Sequence, residues 1–417
     1  MHPSHAAAGL PEPKWLSLSA HRRWLRQEAD DLLRFFEGAS VDPEGGFSIP
    51  GTDGRPTGQA DPTELHTTTR LVHGFALAAM MGRPGAMAIV DHGMRALWER
   101  HRDPANGGYV WSFDRNGPVD DKKQAYGHAF VLLAASSALM AGHPDAPRLL
   151  ADVTQVLTER FWEEDHGASA EEFTADWQPF DTYRGQNSNM HLTEALMAAF
   201  EATGEDRYLA MAGRIADLVV NRHARAMNWH LPEHFRQDWS LDKAYDGNPI
   251  FRPAGTTPGH WLEWARLLVQ LWELEGRRTP WMLEAARHLF ARAVEDGWDA
   301  ARGGFVYTLG WDGRPRIEDR YWWPVCEGIA AAAALAAVTD DPLYETWYRR
   351  IWDFAALRLI DRENGGWHPQ LGADNLPKAE PFAGKPDLYH ALQACLLPLL
   401  PPSVGLAVGI RAGRLDD

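Results

Sequence analysis

The chain has 417 residues, 45% of them hydrophobic, which is ample for a large core, and it carries a net charge of −16. With lysine and arginine scattered in ones and twos, that sign repels phosphate backbones and leaves no electrostatic footprint for nucleic acid. The two cysteines, Cys326 and Cys395, lie in apolar contexts without CxxC or zinc spacing, which points to a reducing compartment and away from a thiol nucleophile.

The first fifteen residues hold three prolines and no apolar stretch, so no secretory signal is expected. The protein is expected in the cytoplasm, with residues 1–14 as a flexible tail. From His21 to Gly38 the apolar residues Trp24, Leu25, Leu32, Leu33 and Phe36 suggest an amphipathic helix that a glycine stops. The loop that follows, DPEGGFSIPGTDGRP from Asp42, returns as DPANGGYVWSFDRNGP from Asp103, DAARGGFVYTLGWDGRP from Asp299 and DRENGGWHPQLGADNLP from Asp361. Each copy has acidic and small residues, a glycine pair, an aromatic and a second turn before proline, which is the chemistry of a short hairpin.

Degenerate copies begin at Glu163 and Asn228, giving six loops about 60 residues apart. Between successive loops run two helical patterns, such as Leu65 to Met81 and Met87 to His101, or Asn189 to Thr203 and Asp206 to His223. Two helices and a hairpin, six times over, predict an all-α fold, an (α/α)6 barrel with short β-hairpin loops at one end. It reads as a single catalytic domain over residues 1–417, although length alone would allow two or three. The cavity mouth is the default ligand site. An open α-solenoid, with uncapped ends and no common pocket, is the alternative. The alanine-rich run Ile329 to Val338 is about half a bilayer span and reads as a core helix, so no membrane partner is expected.

The candidate chemistry centres on FRPAGTTPGHWLEW, Phe251 to Trp264. A Pro-Gly turn opens a helix near His260, and Glu263 follows at i+3 on the same face, where a carboxylate can hold an imidazole in one tautomer for acid/base work. A capping histidine is the plain alternative for one such pair. In LHTTTRLVHGFAL, Arg70 interrupts an apolar helix and points its fork inward, either to a ligand or to a nearby glutamate. Tyr126 and His128 precede an apolar helix, where either can simply cap or pack. Asn187 and His191 lie one turn apart, with Glu194 three further on, and Asp387 and His390 also stand three apart. Glu327 opens the alanine-rich helix, where a capping carboxylate is the alternative. Three imidazoles with nearby carboxylates at the starts of inner helices imply convergence on one cavity. His5, His143, His166 and His288 fall in tail, turn or amphipathic contexts and carry no functional weight.

The segments FRPAGTTPGHWLEW, NSNMHLTEA, LHTTTRLVHGFALAAMMGRPGAMAIVDHG and GKPDLYHALQ together resemble the N-acylglucosamine 2-epimerase superfamily. Within it they are most similar to the aldose-ketose isomerase branch of mannose and sulfoquinovose isomerases, from about Trp15 to about Pro401. The resemblance implies an (α/α)6 barrel and metal-independent chemistry on a reducing sugar. It further implies that His260 and His390 are the catalytic pair, and that Arg70, Tyr126, Asn187, His191, Glu263 and Glu327 hold sugar hydroxyls or orient those histidines.

The residue types suit that chemistry. Moving a carbonyl between C1 and C2 needs bases near neutral pH and a cationic partner for an enediolate, which imidazoles and Arg70 supply. No GxGxxG, GxxxxGK[ST] or obvious Schiff-base lysine is present, so no cofactor is expected, and no metal. Ile250 and Pro386 stand where sulfonate-binding members would need basic or polar groups, which favours an uncharged hexose. The expected reaction is D-mannose to D-fructose, with D-lyxose to D-xylulose as an extension. A 2-epimerase of mannose, cellobiose or an N-acylhexosamine is the nearest alternative. An inverting glycoside hydrolase would need two carboxylates across a scissile bond, and a non-catalytic role would give three histidine–carboxylate pairs no reason to face one cavity. The expected partner is a small monosaccharide, for a monomer or small homo-oligomer.

Overall fold

Two kinds of helix alternate along the chain, one apolar nearly all round and one with a single apolar stripe, and this alternation sets the architecture. The computed structural model describes residues 14–415 apart from 43–44, 57–61, 249 and 383, so the expected tail and part of the first loop lie outside the described residues. In order, the main helices are α1 (Ser19–Ala39), α2 (Leu65–Met80), α3 (Ala86–Ala96), α4 (Ala125–Met140), α5 (Ala146–Val156), α6 (Gln186–Thr203) and α7 (Asp206–Ala216). There follow α8 (Pro258–Leu274), α9 (Trp281–Asp296), α10 (Trp322–Val338), α11 (Pro342–Phe354), α12 (Tyr389–Leu396) and a short α13 (Leu406–Arg411).

The even-numbered helices are buried on almost every side. In α4, for example, Ala125 and every residue from Gly127 to Ala138 are buried. Such helices have no wet face and must form the inner ring. The odd-numbered helices α3, α5, α7 and α11 bury only a stripe, and each relaxes into wider π-helical turns just before the following loop. Each inner helix packs on the next, α12 packs on both α10 and α2, and α1 at the start of the chain packs on α12 at its end. The ring therefore closes, which eliminates the open solenoid.

The hairpins stitch the ring at one end. The residues entering each inner helix pair with the hairpin of the next repeat: Thr63–Glu64 with Ser112–Asp114, Lys123–Gln124 with Glu172–Phe173, Arg184–Gly185 with His234–Phe235, Thr256 with Leu309, and Arg320–Tyr321 with Gln370–Leu371. The sixth stitch returns to the first loop, where Lys385 N donates to Pro50 O at 2.8 Å.

The acids that begin four of the loops have a second task. Lys123 pairs with Asp103 at 2.8 Å, Arg184 with Glu163 at 2.6 Å, Lys385 with Asp361 at 2.7 Å, and Arg320 with Asp299. These cations are buried, so removing one partner costs roughly 3–5 kcal/mol. No helix among the described residues is long and apolar enough to cross a membrane.

Candidate active site

The hairpin end of the barrel opens into a cavity at the first turns of the inner helices. Its wall includes Arg70 from α2, Tyr126 from α4, Asn187 and His191 from α6, His260 and Glu263 from α8, and Asp387 and His390 at α12. Seven of the eight expected site residues thus meet in one place. The eighth, Glu327 on α10, lies directly behind His390. His128 does not join them. Its Nδ1 bonds Gln124 O at 2.7 Å and its Nε2 accepts from Tyr109 N at 3.1 Å, so it packs the outer wall.

Local sequence explains how α8 is aimed. Pro258 takes the first helical turn, where its missing N–H costs nothing. Gly255 sits at φ +94°, and a Cβ there would lie 2.2 Å from Leu309 O, so only glycine permits the stitch that feeds the helix. At Gly259 a Cβ would lie 2.4 Å from the Trp323 ring. The missing side chain lets Trp323 settle 4.9 Å from the His260 ring and 5.9 Å from the His390 ring, measured between centroids.

Each histidine has a carboxylate, but not the one three residues away. His260 Nδ1 lies 2.8 Å from Glu233 Oε2, and Glu233 comes from the hairpin between α7 and α8. Gln186 Nε2 also donates to Glu233 Oε2 at 2.7 Å, and the Trp264 indole N–H fixes that amide by donating to its oxygen at 2.8 Å. His390 Nδ1 lies 2.9 Å from Glu327 Oε1. His191 Nδ1 is 3.5 Å from Glu263 Oε1. Asp387 accepts the backbone N–H of His390 at 2.9 Å and serves Arg70 and Trp322 with its side chain.

The expected same-helix pairs are therefore corrected to pairs across helices. Sharing a helix face does not decide the partner: in the closed ring, carboxylates from neighbouring helices and hairpins come closer to each imidazole nitrogen than the one three residues along. The Gln186 amide nitrogen also lies 2.9 Å from His260 Nδ1 but gives its proton to Glu233. A charged carboxylate only accepts, so the Nδ1 of His260 and of His390 carries the proton, and Nε2 is the nitrogen each ring offers the cavity.

Arg70 points inward as expected, and its ion pair is to an aspartate: Nη1 donates to Asp387 Oδ1 at 3.1 Å and Nη2 to the Tyr126 hydroxyl at 2.8 Å. Its guanidinium stacks 4.5 Å from the Phe130 ring centre, and its buried Nε–H has no protein acceptor. Burial pushes the Tyr126 phenol up to about 12, so it stays protonated beside the arginine. Burial, together with Arg70 and His390, drives His191 well below the usual imidazole range, so it is neutral at working pH.

Beneath the cavity Arg266 stands among three carboxylates. It donates to Glu327 Oε2 at 2.9 Å and to Glu194 Oε1 at 3.1 Å, and Glu263 Oε1 is 3.7 Å from its third nitrogen. Glu327 is not the helix cap that its position suggested. Burial alone would raise it, but Arg266 and His390 hold it below the usual carboxylate range. Glu263 goes the other way. Burial and then the Glu327 charge push it far above that range, both its oxygens lack a hydrogen-bond partner, and it is a neutral acid at the cavity wall.

Ligand atoms of His191, Glu194 and Glu263 lie within 4.8 Å of one another, a spacing a metal ion would accept. The donor set does not fit one, because Glu194 is already taken by Arg266, the Tyr389 hydroxyl and Gln393, and the arginine charge adjoins the same space.

Glu233, Gln186 and Arg266 were not singled out from the sequence. Arg266 interrupts the apolar run WLEWARLLVQL just as Arg70 interrupts its helix, so the same signal marks it. Glu233 sits in the degenerate loop HLPEHF, where nothing in the spacing ties it to His260.

A closed helical barrel whose mouth presents two imidazoles with locked tautomers is the scaffold of an enzyme that moves protons on a small polar molecule. The chain belongs to the N-acylglucosamine 2-epimerase (GlcNAc 2-epimerase) family, whose profile matches residues 45–394. It is 45% identical over 401 residues to a D-mannose isomerase of Thermobifida fusca, an alignment covering 94% of this chain and 98% of that protein. It is 44% identical over 402 residues to a D-mannose isomerase of Pseudomonas cannabina pv. alisalensis, with 94% and 96% covered. A crystal structure of a D-mannose isomerase superposes with a TM-score of 0.86 at 33% identity, covering 92% of this chain and 99% of that one.

Proposed function

We propose that this chain is an aldose-ketose isomerase that interconverts D-mannose and D-fructose, with D-lyxose and D-xylulose as a second pair. The observation that carries the reading is the pair of imidazoles on one cavity, each with Nδ1 tied to a buried carboxylate and Nε2 free for substrate. The full-length likeness to D-mannose isomerases supports the choice of sugar.

In the open-chain aldose, His390 Nε2 takes the C2 proton. The C2–H electron pair becomes the C1–C2 double bond of a cis-enediolate, and the carbonyl pair moves onto O1. Arg70 and the protonated Tyr126 donate toward the oxygens that gain charge. His390 returns the proton to C1 on the same face, while His260 carries the O2 proton to O1, so that C2 becomes the carbonyl. Asn187, His191 and the neutral carboxyl of Glu263 bind hydroxyls, and Glu327 and Glu233 keep the two imidazoles in register.

Ile250 and Pro386 both line the cavity, and Arg70, the arginine of its wall, is already committed to Asp387. Among the described residues the cavity wall offers a sulfonate or phosphate no lysine or arginine beyond Arg70, and so it suits an uncharged hexose. The enzyme works without a metal, as one catalytic domain, in the cytoplasm, where its two buried free thiols stay reduced. A 2-epimerase would use the same two histidines from opposite faces of C2. Incubation with mannose, fructose, glucose, cellobiose and N-acetylglucosamine, followed by chromatography, separates these outcomes. Fructose from mannose is the expected product, and turnover confined to 2-epimers would overturn the reading.

A further inference from the structure

The opposite end of the barrel holds a second cavity that the isomerase reading does not use. Its larger lobe, about 360 Å³, lies against the alanine-rich face of α10 and is bounded by Leu16, Arg22 and Leu397 to Leu400. A smaller lobe of about 40 Å³ runs inward past His73, Glu201 and Gln393 under α13. Arg266, Gln270 and Leu397 line both lobes.

Three side chains lining the smaller lobe are more than nine-tenths buried and carry polar atoms without partners: His73 Nε2, Gln393 Oε1 and Arg266 Nη2. Their hydrogen-bonding sense follows from their neighbours. The Ser137 hydroxyl donates to Leu133 O at 2.9 Å, so at 2.7 Å it accepts from His73 Nδ1–H and leaves His73 Nε2 as an acceptor. The Gln393 amide nitrogen donates to Glu194 at 3.3 Å, which leaves its oxygen as an acceptor. Arg266 Nη2 is a donor whose nearest carboxylate oxygen, on Glu263, is 3.7 Å away. Buried groups of this kind are ordinarily satisfied by water or a ligand.

Charge narrows the ligand. A cation entering the inner lobe meets Arg266, and an anion meets Glu194 and Glu201. Unpartnered acceptors on His73 and Gln393 beside the Arg266 donor, in a lining that is otherwise largely apolar, suit hydroxyl groups, which donate and accept.

We propose that this rear cavity is a binding site for a neutral polyhydroxylated molecule, a sugar alcohol or free sugar, distinct from the hairpin-end site. Its occupant reaches the catalytic end through one residue. Arg266 lines the rear cavity and also donates to Glu327, which holds His390. A ligand that draws on Arg266 shifts that pair and lowers turnover without competing with substrate.

The test uses D-mannitol, which has no carbonyl to isomerise. Calorimetry measures its binding whether or not the chain isomerises mannose, so failure of the site and failure of the proposed reaction are distinguishable. Ala334→Phe fills the larger lobe, and Gln270→Leu removes a polar wall group without adding bulk. Mannitol is expected to bind the wild type and to bind both variants at least ~10-fold more weakly. In the wild type it is expected to lower kcat at saturating mannose, and in folded variants that effect disappears. No mannitol binding, purely competitive inhibition, or equal affinity in the wild type and both variants would overturn the proposal.

Discussion

Glu233 Oε2 sits 2.8 Å from His260 Nδ1, although the two residues belong to different elements and 27 positions separate them. Glu233 is buried, and burial alone would raise its carboxyl. The His260 ring and the Gln186 amide outweigh that and hold it below the usual range, so it stays charged. Glu233→Gln keeps the shape but lets the amide and imidazole compete for one proton position, which frees the wrong tautomer. Turnover should fall by on the order of 10² with a smaller change in KM. A kcat close to wild type would show that His260 needs no such partner.

His260→Ala and His390→Ala should each lower kcat by on the order of 10² to 10⁴, the range of a lost general acid or base, with far-UV circular dichroism unchanged. If either variant keeps near wild-type turnover, that histidine does not carry the proton.

The ring was legible because its logic is repetitive. Six hairpin loops, each followed by two helical patterns, are properties of consecutive residues, so the barrel and the convergence of three imidazoles followed from spacing, while the full set of candidate site residues came from the family resemblance. The pairings did not. Spacing suggested Glu263 for His260, Glu194 for His191 and Asp387 for His390, whereas the nearest carboxylates are Glu233, Glu263 and Glu327. Which carboxylate from another element reaches an imidazole depends on ring closure, which no single helix encodes.

Gly259→Ala tests how tightly the two imidazoles are spaced. The added Cβ would press on Trp323, whose ring stands beside both. Overpacking of this kind typically costs ~1–3 kcal/mol. A lower midpoint in chemical denaturation together with a loss in kcat is expected, and an unchanged kcat would mean that Trp323 does not set the spacing.

Activity should survive exhaustive dialysis against a chelator, because Glu194 is occupied by Arg266 and cannot serve an ion in the His191–Glu194–Glu263 cluster. Loss of turnover restored by one divalent cation would assign a metal to that cluster.

Stability should depend on Glu201, whose carboxylate accepts the Gly405 N–H at the start of α13. Burial pushes this carboxyl from the ordinary 4.5 up to about 7. Its folded state binds the proton more tightly than its unfolded state. Its contribution is therefore fully present below about 4.5, is lost as pH rises to about 7, and is flat beyond. At about 1.4 kcal/mol per unit the ceiling is roughly 3 kcal/mol. Urea midpoints for the wild type and Glu201→Gln at pH 5 and pH 8 should diverge, with the glutamine variant losing less. Parallel behaviour would mean that Glu201 does not titrate in this window.

The central claim is that one imidazole, His390, moves a proton between C2 and C1 on one face. Reaction of mannose in heavy water, stopped early and read by NMR, tests it directly. Fructose as the main early product, with any solvent deuterium at C1, is the predicted result. Glucose appearing first, labelled at C2 and without a fructose intermediate, would contradict it and assign the two histidines to opposite faces of C2.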